Sequence, residues 1–141
     1  MRYKIDYIKF NNFNFDLILN FIKSRNNFFQ VVDAKSIISE LQIINALKKT
    51  NRYFRHNKRI KIKSNIFLMY LGYTTQISSA IDLNGIHRDS ENGIVIYEKS
   101  SDFENFLNLG GMEKSTFKLP YDKAGFDKKV FMDMAYIDLL I

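Results

Sequence analysis

The chain has 141 residues, a net charge of +6 and 46% hydrophobic residues, and it has no cysteine. This length and apolar content predict one folded domain over residues 1–141 and argue against a disordered protein. The missing cysteines exclude a disulfide framework and thiolate metal sites, and the longest apolar run, residues 66–71, is far shorter than the roughly 20 residues of a membrane span.

Strands and helices alternate in the first half of the chain. Residues 3–10 and 28–32 are predicted strands, and the first of them, with its early acid, does not resemble a signal peptide. Asn14 is placed to cap a helix over residues 15–23. A long helix is predicted from about residue 36 to residue 54. Its apolar stripe is Ile37, Leu41, Ile44, Leu47 and Phe54.

The second half continues the alternation. A capping box from Ser101 to Glu104 starts a helix that ends at Gly110. The other predicted elements are helices over 66–71, 77–83 and 127–141, and strands over 94–97 and 112–119. We therefore expect an α/β or α+β fold, a single compact domain with a small mixed sheet flanked by several helices. The apolar face of the last helix either closes this domain's core or docks a partner helix.

The basic charge is concentrated in one segment, residues 48–63, which contains eight Lys and Arg residues and no acid. Only 13 of the 21 basic residues lie elsewhere, where the 15 acidic residues outnumber them. Such a local field attracts phosphate-bearing partners, whereas the alternative is a solvated helix end and loop. The basic residues on the long helix share one face, because Lys48, Arg52 and Arg55 are spaced by four and three.

Patterns for catalysis and metal binding are missing from the sequence. His56 and His87 are far apart and have no metal-ligand spacing beside them, so we expect no metal and no cofactor. Asp33, at the end of a predicted buried strand, is the one position where an α/β enzyme could keep a catalytic carboxylate. The alternative is that Asp33 caps the following helix. Since no partner base or nucleophile accompanies it, we expect a binding protein that is not an enzyme.

One set of residues resembles a known family. The set comprises Asp33-Ala34-x-x-Ile37-x-Ser39, then Ala46, Leu68-Met69-Tyr70-Leu71, and Gln76-Ile77-x-x-Ala80-Ile81-x-x-x-Gly85-Ile86. In order and spacing it resembles the small kinase-binding subunit of the KEOPS complex, over roughly residues 28–111. The chain differs from that family at Gln42, where a His is frequent, at Thr75, where an Arg is frequent, and at Gly72-Tyr73, where the hinge is usually Ser-Gly.

The resemblance implies a function and partners. Such a subunit binds the atypical kinase/ATPase of KEOPS in the cytoplasm, and in archaeal members it holds the 3′ CCA end of tRNA for threonylcarbamoyladenosine modification. RNA ends are recognised by stacking, by hydrogen bonds and by cations that hold phosphates. The candidate RNA-binding residues are Lys48, Arg52, Arg55, Lys58, Arg59, Lys61, Tyr73, Gln76 and Ile77, with no catalytic or metal residues.

Alternatives remain for the site and for the function. Tyr70 has helical spacing from Ile66 and is as compatible with the core as with RNA stacking. Gln76 could bond only backbone at a helix start. A protein–protein adaptor with no RNA role would use the basic segment on an acidic partner, and a small RNA-processing enzyme would need a site that the motifs do not reveal.

Overall fold

A computed structural model describes residues 2–56, 63–119 and 132–138 of the chain. These residues form a mixed helix-and-sheet fold, which confirms the predicted fold class. The strands are β1 (Lys4–Phe10), β2 (Phe29–Asp33), β3 (Asn92–Tyr97) and β4 (Met112–Lys114). The α-helices are α1 (Phe15–Lys23), α2 (Glu40–His56), α3 (Lys63–Leu71), α4 (Ile77–Asn84), α5 (Ser100–Leu107) and α6 (residues 132–138).

The fold divides into two compact units. The sheet unit contains the described residues of 1–34 and 86–118, and the helical unit contains those of 35–85 and 119–141. The chain therefore leaves the sheet unit to build α2 to α4, returns to it for β3, α5 and β4, and leaves it again for α6. A single domain over residues 1–141 stays a prediction. Within the described ranges, no helix combines the length and the apolarity needed to cross a bilayer.

The sheet has the strand order β2-β3-β1-β4, and every neighbouring pair is antiparallel. The prediction of a mixed sheet was wrong, and the position of β3 explains why. Strands β1 and β2, which are joined through α1, both pair antiparallel with β3 and so run in the same direction. Because β3 lies between them, the parallel pair that a strand–helix–strand pattern suggests never forms.

The core of the sheet unit lies on the sheet face that carries α1 and α5. Alternate residues of a strand point to the same face, so Ile8 and Phe10 of β1 face the same way as Val95 of β3. Helix α1 contributes Ile18 to this cluster. The remaining buried members are Phe29, Val31, Ile86, Tyr97, Phe103, Phe106 and Met112.

Two helix starts were predicted in the sheet unit, and one was right. Asn14 caps α1 as predicted, since its Oδ1 accepts a hydrogen bond from the Leu17 N–H at 3.1 Å. The capping box at Ser101 was wrong. Helix α5 already begins at Ser100, and Lys99 occupies its N-cap without a side-chain hydrogen bond. A capping box requires the serine outside the first turn, and here Ser101 lies inside it.

The helical unit is built around α3. The last six residues of α3, residues 66–71, are all buried, and α3 packs against both α2 and α4. A helix that is buried on all sides needs no polar face, which is why this run is uniformly apolar.

The apolar stripe predicted for α2 was largely wrong. Ile37 is buried but precedes the helix, and of the others only Leu47 is buried. The buried face instead includes two polar residues that satisfy their own hydrogen bonds. Gln42 bonds backbone groups at both ends of its amide, and Thr50 Oγ1 donates to the Ala46 carbonyl at 2.7 Å. The other buried residues of this face are Ile43, Ala46 and Tyr53.

Helix α6 supports the core-closing interpretation of the C-terminal segment. Met134 and Ile137 are buried, and the Met134 sulfur accepts a hydrogen bond from Asn45 Nδ2 on α2 at 3.1 Å. The remaining apolar residues on which this prediction was based lie outside the described residues. These are Val130, Phe131 and Ile141.

Two consecutive glycines offer a matched test of backbone geometry after α5. Gly110 and Gly111 have φ angles of 86° and 84°, but a Cβ on Gly111 would lie 2.4 Å from the Phe13 Cα, whereas Gly110 has open space. We expect Gly110→Ala to destabilise by about 1 kcal/mol through conformation alone. Gly111→Ala should cost at least about 1 kcal/mol more, from steric overlap. Urea unfolding measures both, and equal losses would contradict the overlap.

Candidate nucleic-acid interface

Helix α2 presents three of the predicted cations to solvent. Lys48, Arg52 and Arg55 are exposed, and their spacing of four and three places them on one side of the helix. We call these three residues the α2 cation face. The other predicted cations, Lys58, Arg59 and Lys61, lie outside the described residues.

The cations of the α2 face differ in what they already bind. Arg52 Nη2 is 2.6 Å from Asp138 Oδ2 of α6 and forms an ion pair with it. Lys48 and Arg55 form no ion pair with any residue of the described ranges. Two of the three positive charges are therefore uncompensated by a nearby acid, and these two attract anions most strongly.

Asp138 is the centre of a hydrogen-bonded cluster that links three helices. Its Oδ2 accepts from Lys49 Nζ and from Arg52, both on α2. Its Oδ1 accepts from the Tyr70 hydroxyl of α3 at 2.5 Å. We call these four residues the Asp138 cluster. It joins α2, α3 and α6 through one carboxylate.

The cluster changes how two of its members titrate. Burial by itself would raise the pKa of Asp138, but the hydrogen bonds from Lys49, Tyr70 and Arg52 outweigh it and hold this pKa below its ordinary value of 3.8. Burial raises the pKa of Tyr70, and the hydrogen bond to the carboxylate raises it further. At neutral pH the carboxylate is thus ionised and the phenol is protonated.

The sequence offered one indication of the Asp138 cluster. Asp138 takes a position on the otherwise apolar face of the C-terminal helix, where a carboxylate requires a partner. Its partner Lys49 belongs to the segment with the basic excess. No local spacing connects two residues that are 89 positions apart, so the contact itself was not predictable.

The ring of Tyr70 belongs to the core. Tyr70 is 2% exposed, and its hydroxyl donates a hydrogen bond to Asp138. Base stacking requires an accessible ring face, so Tyr70 is excluded as a stacking residue in this structure.

The turn between α3 and α4 carries the remaining predicted residues. Tyr73 is half-buried, its hydroxyl oxygen is buried, and its φ of 55° is unusual for a residue with a side chain. Gln76 is exposed and occupies the N-cap of α4 without a side-chain cap bond, while Ile77 is half-buried. Of the three, Gln76 has the most accessible hydrogen-bonding groups.

A threonine in the turn holds the residue that begins α4. Thr74 Oγ1 accepts a hydrogen bond from the Gln76 N–H at 3.1 Å, and Gln76 itself takes the N-cap position of α4. The threonine thus fixes the turn instead of the helix end. This leaves the Gln76 amide free of a capping role.

Gly72 begins this turn because of close packing with α4. A Cβ at this position would lie 2.6 Å from Asn84 Nδ2. Asn84 is fully buried, and neither atom of its amide has a hydrogen-bond partner among the described residues. A larger residue in place of Gly72 would therefore push against a side chain that has no room to move.

Gln42 connects the turn to α2. Its Nε2 donates to the Leu71 carbonyl at 3.2 Å, and its Oε1 accepts from the Ile38 N–H at 2.9 Å. Leu71, the residue before the turn, is therefore bound to the first turn of α2. At 1.5 Å per residue, Lys48 and Arg55 lie about 9 and 20 Å further along the helix axis. The α2 cation face and the turn are held within one unit.

Asp33 is hydrogen-bonded to a serine in the loop before β3. Its Oδ2 accepts a hydrogen bond from the Ser90 hydroxyl at 2.7 Å, and Ser90 Oγ accepts from the His87 backbone N–H at 2.9 Å. The His87 side chain is exposed. The hydroxyl therefore donates to the carboxylate directly, and this contact ties the loop before β3 to the end of β2.

Comparison with known proteins gives no family assignment: no family model matches the chain, and no curated protein matches it significantly. The likeness to the KEOPS subunit accordingly stays a prediction from the residues.

The Asp138 cluster generates a prediction about stability and pH. Since the pKa of Asp138 is lowered on folding, its contribution is present above pH 3.8 and is lost as pH falls through the folded-state pKa. Asp138→Asn should destabilise by about 1–2 kcal/mol at neutral pH, a range reduced for its partial exposure. The difference from wild type in urea unfolding should shrink in acid. Asp82→Asn, at an exposed position of α4, is the matched control, and a pH-independent difference for Asp138→Asn would contradict the ionic role.

Proposed function

We propose that this protein is a non-catalytic, cytoplasmic accessory subunit that binds RNA, of the type of the kinase-binding subunit of KEOPS. In this role it binds the atypical kinase/ATPase and recruits tRNA through the 3′ CCA end for threonylcarbamoyladenosine modification. The single observation that carries the RNA-binding part is the α2 cation face, where Lys48 and Arg55 are exposed and pair with no acid of the described ranges.

The arrangement of the helical unit supports this proposal. Phosphates are held by exposed cations, and single-stranded bases by hydrogen bonds and stacking from side chains nearby. The α2 cation face supplies the first, and Gln76 with the half-buried Tyr73 supplies the second. Because Gln42 fixes the end of α3 to α2, the two groups keep a constant separation.

The second candidate is a protein–protein adaptor without an RNA role. Met132 and Tyr136 of α6 are four residues apart, so they share one side of the helix, and they are 65% and 60% exposed. An exposed pair of large apolar side chains suits contact with a partner protein. The basic helix would then meet an acidic partner surface.

We expect the protein alone to bind tRNA with an affinity that falls steeply with salt. Each phosphate contact to single-stranded RNA contributes about −0.7 to the slope of log affinity against log salt. Lys48→Gln and Arg55→Gln should each flatten that slope by about 0.7, as measured by fluorescence anisotropy over a range of salt concentrations.

Lys9→Gln provides the control for this experiment. Lys9 is exposed on β1 of the sheet unit, and its substitution removes the same charge from a different surface. If Lys9→Gln flattened the slope as much as Lys48→Gln and Arg55→Gln do, the basic helix would contribute only general charge attraction. Absence of tRNA binding by the wild type would favour the adaptor.

The turn should recognise the RNA end. A stacked base contributes about 1–3 kcal/mol, so removing CCA from tRNA should weaken binding about 5- to 150-fold. Gln76→Ala and Tyr73→Ala should reduce the difference between intact and trimmed tRNA, because each variant and the trimming remove the same contacts. Their salt slopes should stay unchanged, since neither residue releases counterions.

Thr75→Ala is the matched variant, because Thr75 is exposed in the same turn. It should retain the preference for intact tRNA. If wild-type protein bound intact and trimmed tRNA equally, the turn would have no role in recognition and the α2 cation face would be holding another part of the tRNA.

A further inference from the structure

Three hydrogen-bond donors converge on the carboxylate of Asp138. Lys49 and Arg52 lie one turn apart on α2 and reach Oδ2, while the Tyr70 hydroxyl reaches Oδ1 from α3. These three donors come from two helices that pack directly against each other, and Asp138 comes from a third. The donors therefore form a site, and the carboxylate is the group that fills it.

The chemistry of this site suits an oxyanion. Two of its donors carry a positive charge, and such charge-assisted hydrogen bonds are the strongest that proteins make with carboxylate or phosphate oxygens. The side chains of Lys49 and Asp138 are 14% and 24% exposed, whereas that of Arg52 is 52% exposed. The site is thus buried on the side of Lys49 and open to solvent at Arg52.

An empty site would be unfavourable. The Lys49 ammonium and the Tyr70 hydroxyl are largely shielded from water, and an unpaired buried donor loses the hydration that it has in the unfolded chain. The donors consequently need an anion at all times, but nothing in their chemistry requires that it be Asp138. A phosphodiester of the RNA backbone carries one negative charge on two non-bridging oxygens, as the carboxylate does, and can accept from the same three donors.

We propose that Lys49, Arg52 and Tyr70 form a phosphate-binding site beside the α2 cation face, and that Asp138 occupies it as an internal competitor of the RNA backbone. This inference rests on the proposed RNA-binding function and adds that Asp138 regulates the binding of RNA. While the Asp138 carboxylate occupies the site, Arg52 contributes little to RNA affinity. When a backbone phosphate replaces the carboxylate, Arg52 and Lys49 become RNA contacts next to Lys48.

The test is RNA binding by Asp138→Asn, measured by fluorescence anisotropy with a short labelled single strand that ends in CCA. Freeing one or two cations should steepen the salt slope by about 0.7 to 1.4. With equal affinities of the two proteins at about 1 M salt, this steeper slope means that Asp138→Asn binds the RNA about 5- to 25-fold tighter than wild type at about 0.1 M salt. Asp82→Asn removes the same charge from an exposed position of α4 in the same unit and should leave the slope unchanged. Identical slopes for the two variants would overturn the proposal.

Failure of the proposed function can be told apart from failure of this site. If neither wild type nor Asp138→Asn binds RNA, pyrophosphate replaces it as the probe, and the Arg52 side-chain N–H signal is followed by NMR. A shift in Asp138→Asn but not in wild type supports the anion site without an RNA role. No shift in either protein overturns the site.

Circular dichroism first establishes that Asp138→Asn is folded. If it is not, Arg52→Gln and Lys48→Gln in the otherwise wild-type chain decide the question. Arg52 is paired with Asp138 and Lys48 is not, so Arg52→Gln should flatten the salt slope less than Lys48→Gln does. Equal effects would show that Asp138 does not restrain Arg52, and the proposal would be wrong.

Discussion

One carboxylate determines how the helical unit is assembled. Asp138 carries a full negative charge among packed helices, and taking that charge out of water is unfavourable unless it is paired. Its carboxylate accepts hydrogen bonds from three donors, which are Lys49, Arg52 and Tyr70. Because these donors lie on α2 and α3, the position of α6 is fixed by directional bonds as well as by the burial of Met134 and Ile137. Apolar contacts alone would tolerate several rotations of a short helix, whereas the carboxylate accepts only one.

This pairing divides the basic residues of α2 into two groups. Lys49 and Arg52 are neutralised in part by Asp138, whereas Lys48 and Arg55 have no acid beside them in the described structure. A positive segment that looks uniform in the sequence is therefore not uniform as a binding surface. Its net attraction for anions is weaker than a count of charges suggests, since an ion pair at short range contributes little field at longer range.

Local features of the fold were predictable from the sequence. Asn14 and the helix that it caps were predicted correctly, because a side-chain cap depends only on residues three positions apart. The buried face of α2 was not, because Gln42 and Thr50 are polar yet buried. Their burial depends on hydrogen-bond partners, and the carbonyl that Gln42 reaches is 29 positions away. Hydrophobic periodicity has no means of recognising a buried polar residue that is satisfied in this way.

The same distinction applies to the candidate site. The shared face of Lys48, Arg52 and Arg55 follows from helical spacing alone, and all three are exposed as that spacing predicts. The Asp138 cluster joins residues 68 to 89 positions apart and could not follow from spacing. The choice between core and surface for Tyr70 depended on that same long-range contact.

Gln42 shows how a difference from a family pattern can be structurally meaningful. The KEOPS subunits that the sequence resembles often carry His at this position, whereas here both ends of the Gln42 amide are engaged by backbone groups. An amide supplies a donor and an acceptor at any pH, whereas an imidazole supplies both only while it is neutral. The glutamine therefore holds the end of α3 against α2 irrespective of protonation. A binding surface composed of a helix face and an adjacent turn requires such a link, because a phosphate contact and a base contact strengthen each other only when their separation is fixed.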